Sequence, residues 1–296
     1  MLRFRKTMNI QVFLEMNYYF RRRHDNMKTL KDKTVWITGA SSGIGEALAI
    51  VCAREGANLV LTARREAELK RVAAQTGLPD RSVLIIPADL YRYDQVQSLT
   101  DQVMARFGRI DVLFNNAGIS SRALAVESPI EIDRKVMDID YFSVIALTKS
   151  VLPIMIKQNS GHIVVTSSVV GKIGTPLRSA YAAAKHALHG FFDSIRQEVS
   201  DYGIHITLVC PGYIRTQISV NAITPTGVKF NKMSKNQQKG IDPLVMASKM
   251  VKAVYRNKRE LVYGGIEVFG IYLDRFSPGL LNWYLHRKHK KNSFAD

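Results

Sequence analysis

Six short runs of aliphatic, β-branched and aromatic residues recur along the chain, separated by segments of helix length, and this alternation restricts the fold more than any other feature. The runs cover residues 34–38, 58–62, 82–86, 110–114, 162–166 and 205–210. Between them, residues 44–54, 94–107, 130–157 and 179–199 carry helical patterning. Strands that are apolar throughout, rather than on alternate residues, need cover on both faces. Helices between such strands supply it, so the strands are parallel. With right-handed crossovers the pattern predicts a single-domain α/β fold, a Rossmann-type doubly wound parallel sheet of about seven strands. A chain of 296 residues can bury such a core, and no linker divides it. The expected division is an N-terminal extension over residues 1–29, the sheet domain over 30–265 and an apolar-then-basic segment over 266–296.

In sheets of this kind ligands bind beyond the carboxyl ends of the strands, and the unusual residues fall there. The first strand runs into Thr38-Gly39-Ala40-Ser41-Ser42-Gly43-Ile44-Gly45, the turn into the first helix. Its glycines allow positive φ and close approach of backbone to a pyrophosphate at the helix N-terminus. The second strand ends Thr62-Ala63-Arg64-Arg65. A site for NAD wants a carboxylate there, whereas Arg64 can fork onto a 2′-phosphate, which favours NADPH. The alternative is that Arg64 and Arg65 only begin a solvated helix. Asp89, followed by Leu90, either accepts a bond from an adenine amino group or caps the next helix. Asn116, Ala117 and Gly118 end the fourth strand with small residues suited to a ribose, and Asn116 can bridge neighbouring strands.

A further segment places Ser168 thirteen residues before Tyr181, with Lys185 four residues beyond. Tyr181 and Lys185 share one helix face. A phenol normally titrates near ~10, and an adjacent ammonium favours phenolate, which makes a proton carrier if a substrate oxygen reaches it. Taken alone, Tyr-x-x-x-Lys also fits an ordinary amphipathic helix.

Together these motifs resemble the short-chain dehydrogenase/reductase family over about residues 30–265. They match in order: Thr38-Gly-x-x-x-Gly-x-Gly45, Asn115-Asn-Ala-Gly118, Ser168, Tyr181-x-x-x-Lys185 and Pro211-Gly212. Residues 182–192 and 141–149 suggest the neighbourhood of membrane-associated reductases of lipid and steroid carbonyls. The resemblance implies an NADP-dependent oxidoreductase in which Tyr181 passes a proton to or from a carbonyl oxygen, Ser168 orients that oxygen, and Lys185 bonds the nicotinamide ribose. It implies that Pro211, Gly212 and Ile214 to Thr216 pack along the nicotinamide and its phosphate. Where the family usually has asparagine in the helix before the catalytic strand, this chain has Asp140. The exchange keeps a main-chain carbonyl used in a proton relay but brings in a carboxylate, which supports the ammonium and disfavours the phenolate.

The remaining features define alternatives. A net charge of +17, partly terminal, attracts nucleic acid, anionic lipid or phosphorylated ligands, yet no nucleic-acid motif accompanies it. Cys52 and Cys210 read as buried apolar residues of a reducing compartment. No stretch has the length of consecutive apolar residues that a membrane span requires, and no signal-peptide pattern opens the chain, so a cytoplasmic location is expected, with peripheral membrane contact through the basic termini as an option. Met27 precedes the first strand closely and reads as an alternative start, leaving residues 1–26 outside the fold. His186 and His189 lack a further ligand in their segment, so no metal is expected. His205 reads as a hydrogen-bonded core or edge residue, and residues 218–239 as a mobile substrate-binding loop. Residues 268–285 fit an interfacial helix pair, a flap over the substrate mouth or an oligomer edge equally well. The expected partners are an apolar carbonyl or alcohol and, by the resemblance, further copies of the chain in a dimer or tetramer. The rival reading is a non-catalytic NADPH-binding scaffold that kept the fold.

Overall fold

The structure is a computed structural model and describes residues 27–293. Among the described residues, seven parallel strands form one sheet in the order β3-β2-β1-β4-β5-β6-β7. They are β1 (Thr34–Thr38), β2 (Asn58–Ala63), β3 (Val83–Pro87), β4 (Val112–Asn115), β5 (Gly161–Thr166), β6 (Ile204–Pro211) and β7 (Glu260–Tyr263). The helices are α1 (Gly43–Arg54), α2 (Glu66–Thr76), α3 (Val96–Phe107), α4 (Ile130–Gln158), α5 (Ser179–Glu198), α6 (Pro243–Tyr255), α7 (Phe269–Phe276) and α8 (Pro278–Ser293). The doubly wound reading therefore stands. Residues 1–26, assigned to an extension, lie outside the described part.

Each sheet face carries its own core. On one side α1 and α6 cover Val35, Ile37, Leu59, Leu61 and Phe114. On the other, α3, α4 and α5 cover Trp36, Val60, Leu113, Ile163 and Val165. Trp36 is buried, and its indole N–H donates to Thr62 Oγ1 at 2.9 Å, so the polar edge of a large apolar side chain is satisfied. β4 begins two residues later than the apolar run because Asp111 does other work. Its buried carboxylate accepts from the Thr34 N–H at 2.9 Å and meets Arg109 and Lys33.

α4 is continuous over 29 residues, and an apolar window within it is long enough to cross a membrane, contrary to the sequence expectation. Part of its apolar surface packs inward: Val144, Leu147, Val151 and Met155 are buried in the sheet core. Within it, residues Asp138–Phe142 form one π-helical turn, a local widening common at functional sites. That turn brings Asp140 inward to complete burial.

Candidate active site

β1 and β4 lie side by side while their helices leave to opposite faces, which opens a crevice between their carboxyl ends. Hydrogen bonds knit this edge. Thr38 Oγ1 accepts from the Asn116 and Ala117 N–H groups at 3.0 Å each, and Asn116 Nδ2 donates to the Thr38 carbonyl at 3.1 Å. The bridging role expected of Asn116 is therefore present. Gly39 has φ +67°, and a Cβ there would sit 2.9 Å from Ala117 Cα. A Cβ on Gly45 would collide with the Gly39 carbonyl and lie 2.7 Å from Asn116 Nδ2. Only glycine at both positions lets α1 start this close to the strand ends.

The same turn fits a dinucleotide by its own geometry. Ser42 precedes α1 in extended backbone and makes no side-chain cap, so the first N–H groups of the helix face the crevice. Thr216 lies over the turn: a Cβ on Gly43 would meet its Cγ2 at 3.0 Å. Ile214 is buried, and its carbonyl accepts from Gln237 Nε2 at 2.9 Å, which also reaches Thr216 Oγ1 at 3.4 Å. Pro211 ends β6, and the Gly212 N–H bonds the Tyr263 carbonyl of β7 at 2.9 Å. Glu267 accepts from the Tyr213 and Gly265 N–H groups at 2.8 and 2.9 Å, locking this loop from the C-terminal segment. Neither Gln237 nor Glu267 carries a motif that marks it in the sequence.

At the end of β2 both arginines are exposed, and Arg65 Nη2 lies 3.5 Å from Ser41 Oγ in the glycine turn. Arg65 is therefore the arginine that the structure joins to the turn, a residue the sequence reading weighed only as a helix start. Asp89 Oδ1 accepts from the Tyr91 N–H at 3.1 Å, closing its own loop, and Leu90 is buried beside it.

Ser168, Tyr181 and Lys185 converge as expected. Ser168 leaves β5 in extended backbone and accepts from the Val170 N–H at 3.2 Å. Tyr181 and Lys185 lie one turn apart on α5, with Lys185 Nζ 5.6 Å from the Tyr181 ring centre. Lys185 Nζ donates to the Thr166 carbonyl at 3.1 Å and stands 3.1 Å from Asp140 Oδ2. Asp140 Oδ1 accepts from the Ile119 N–H at 2.7 Å. Burial pushes the Tyr181 phenol above its ordinary range; Lys185 pulls it down, Asp140 pushes it further up, and a hydrogen bond with Ser168 favours the ionised form. Burial works against the Lys185 ammonium, but Asp140 beside it and Tyr181 hold it above the usual lysine range. Burial raises Asp140 as well, opposed by Lys185 and the Ile119 N–H. The arrangement is a protonated phenol flanked by a permanent cation, able to give a proton to an oxygen held near Ser168.

Around this cluster, residues 218–239 form an irregular loop with one helical turn at Lys235–Gln238. The Ile223 N–H bonds the Ser120 carbonyl at 2.8 Å, and the Arg122 N–H bonds the Ile223 carbonyl at 2.9 Å, so the loop is strapped to the segment following β4. α7 and α8 pack Leu281 and Ile271 onto Val169 and Ile173, directly after Ser168. This packing sets the inner face of the segment against the residues that follow Ser168.

The two histidines of α5 separate. His186 Nδ1 contacts the Ala182 carbonyl at 2.8 Å. His189 meets Ser167 Oγ at 3.0 Å and comes together with Cys210 and Glu260. Sequence reasoning missed these two neighbours because they arrive from β6 and β7. The Lys172 ammonium pairs with Glu260 at 2.5 Å, and burial raises the Cys210 thiol to about 12.

Known proteins share this architecture. The family profile described as short chain dehydrogenase matches residues 33–227. The chain is 39% identical over 272 residues to a dehydrogenase/reductase SDR family protein 7-like of Drosophila melanogaster, covering 90% of this chain and 83% of the relative. It is 38% identical over 281 residues to dehydrogenase/reductase SDR family member 7B of Danio rerio, covering 93% and 90%. The crystal structure of levodione reductase superposes with a TM-score of 0.73 at 31% identity, covering 81% of this chain and 99% of that one. A short-chain dehydrogenase/reductase from Burkholderia phymatum in complex with NAD gives 0.76 at 25% identity, covering 86% and 96%.

Proposed function

Because the chain belongs to the short-chain dehydrogenase/reductase family, an oxidoreductase family whose fold takes a nicotinamide cofactor, we propose that it uses NADPH to reduce the carbonyl of a largely apolar substrate. The observation that carries this reading is the buried Tyr181 phenol, held neutral by its surroundings, beside Ser168 and the Lys185 ammonium. The reduced nicotinamide, when bound, supplies the hydride. Ser168 then orients the carbonyl oxygen, and Tyr181 gives it a proton as negative charge develops there. Lys185 steadies the phenolate left behind and is itself kept charged by Asp140. Gly39, Ser41, Ser42, Gly43, Ile44 and Gly45 would cradle the pyrophosphate. Asp89, Leu90, Asn116, Ala117 and Gly118 would line the adenosine and ribose, and Pro211, Gly212, Ile214 and Thr216 the nicotinamide end.

NADPH is favoured over NADH because β2 ends in neutral Ala63, with no carboxylate at the strand end, followed by Arg64 and by Arg65, which reaches the turn. The test is a panel of ketones and long-chain 3-oxo compounds with each cofactor, alongside Tyr181→Phe. Turnover by wild type and its loss in the variant support the reading. No turnover of any member, with cofactor still bound, moves the protein to the scaffold alternative.

The outward face of the C-terminal pair supports a second element, peripheral attachment to an anionic membrane. Phe276 is 85% exposed and Trp283 57%, with Phe269 and Tyr272 beside them on α7. The Arg287 guanidinium lies 5.4 Å from the Trp283 ring centre, and Lys288 Nζ 5.7 Å from that of Tyr284. Aromatic side chains edged by cations match the boundary of an anionic bilayer in both polarity and charge.

A further inference from the structure

Arg178 occupies the residue before α5, three positions ahead of Tyr181, so both side chains leave the same end of the helix. Its Nη1 donates to Ser120 Oγ and, at 3.3 Å, to the Ser121 carbonyl. Both acceptors are neutral, and Ser120 and Ser121 are buried. Arg109, Arg196 and Arg215 each meet a carboxylate at close range. For Arg178, no carboxylate among the described residues plays that part: the titratable neighbours that influence it are Tyr181, Tyr213 and a second cation, Arg122. Burial, reinforced by Arg122, works against its charge.

A guanidinium that is half-buried beside another cation is stabilised by an anion that joins it. It also has five N–H donors, more than a hydroxyl and a carbonyl can satisfy. The surroundings bear on where the anion would sit. Arg122 lies with its guanidinium 4.7 Å from the Phe230 ring centre, and its N–H is bonded to the Ile223 carbonyl, so it is held against the loop of residues 218–239. The Ala123 N–H bonds the Leu177 carbonyl at 3.2 Å, tying that segment to the residue before Arg178. Arg178 at the start of α5 and Arg122, stacked on Phe230 of the strapped loop, thus lie close enough to repel each other.

We infer that Arg178, backed by Arg122, is the specificity residue that takes an anionic group, a carboxylate or a phosphate monoester, carried by the carbonyl substrate. The inference rests on the carbonyl-reduction reading above and narrows its substrate from an apolar carbonyl to an amphiphilic one with a single anionic end. Arg178 touches that end and not the reacting carbon. Its effect is to fix the register in which the carbonyl reaches Tyr181 and Ser168. A purely structural role, clamping the segment after β4 to α5, is the competing account, and it treats charged and uncharged substrates alike.

The experiment compares a long-chain oxo acid, its methyl ester and the matching oxo-alkyl phosphate, with wild type, Arg178→Gln and Arg178→Lys in the presence of NADPH. In wild type the acid or the phosphate is expected to exceed the ester in kcat/KM, and the better of the two identifies the anion. Arg178→Gln should reduce that anion-over-ester ratio about 10–100-fold, mainly through KM, and Arg178→Lys should restore part of it. An unchanged ratio in Arg178→Gln, or a wild type that turns over the ester as well as either anion, overturns the assignment. Calorimetry on the NADPH-loaded protein with a saturated long-chain carboxylate, the matching alkyl phosphate and the carboxylate's methyl ester gives a readout independent of turnover. Tighter binding of either anion than of the ester, lost in Arg178→Gln, supports the anchor even if no carbonyl is reduced, whereas equal binding of all three refutes it. Failure of every carbonyl to react, with anion binding intact, counts against carbonyl reduction and not against Arg178.

Discussion

The Asp140 carboxylate and the Lys185 ammonium stand 3.1 Å apart with both side chains sealed from solvent. The pair controls the Tyr181 phenol in two opposite ways. Lys185 lowers its pKa and Asp140 raises it, on top of a larger upward push from burial. If Tyr181 donates the proton in reduction, activity falls as pH rises through its pKa. Asp140→Asn removes the carboxylate's upward push, so the alkaline limb of kcat/KM should move to lower pH. A pH–rate profile for carbonyl reduction that is identical in the two proteins contradicts this account of Asp140.

At the other end of the crevice, Arg65 is expected to divide the two cofactors. Replacing Arg65 with Gln removes a charge-assisted contact available to a 2′-phosphate, and should raise the KM for NADPH about 10-fold or more while moving that for NADH little. Arg64→Gln measured alongside shows how the preference is shared between the two. Equal effects on both cofactors would remove the arginines from the selectivity argument.

His162 gives a stability prediction whose sign follows from its burial. Its Nε2 lies 2.8 Å from Thr207 Oγ1, whose hydroxyl bonds the Lys258 carbonyl, so the ring is a neutral donor. Burial first, and His205 second, depress its pKa from 6.5 to about 3. The unfolded chain binds a proton below about 6.5 and the folded one does not until about 3, so stability is complete above that window and declines as pH falls through it. His162→Gln keeps a donor to Thr207 without titrating. The stability gap between wild type and this variant, from denaturant melts, should shrink by several kcal/mol at most between neutral pH and pH 4. A constant gap would show that His162 is not the titrating group.

Attachment through the C-terminal pair predicts sedimentation with vesicles rich in phosphatidylserine and little with neutral ones, falling as salt rises. Phe276→Glu with Trp283→Glu should release the protein. Salt-insensitive binding, or binding that survives both changes, argues for another use of that face.

Much of this was legible in the sequence, and the exceptions share a physical cause. Continuous apolar runs gave six strands, but β7 has only four residues and opens with Glu260, so it is a strand chiefly because β6 offers an edge to pair with. The Ser168, Tyr181 and Lys185 cluster was readable because spacing along one helix fixes two of its members. Arg65 was read only as a helix start because adjacent arginines cannot be told apart until the direction of the turn is known. The meeting of His189 with Cys210 and Glu260, and that of Arg178 with Ser120, depend on elements far apart in the chain. Local patterning carries no record of such contacts. The apolar character of α4 is ambiguous for a simpler reason, because a helix covering a sheet and one crossing a bilayer both need extensive apolar surface.

The central claim is that the protein reduces a carbonyl by hydride from NADPH with Tyr181 as the proton donor. It is tested most directly by incubating wild type and Tyr181→Phe with NADPH carrying deuterium at the transferable position, together with the substrate panel, and analysing the products by mass spectrometry. The account predicts an alcohol bearing one deuterium on the former carbonyl carbon in wild type, formed about 100-fold or more slowly by Tyr181→Phe although both proteins bind NADPH equally. Deuterium-labelled alcohol formed at the same rate by both proteins, or none formed by wild type with bound NADPH, would contradict it.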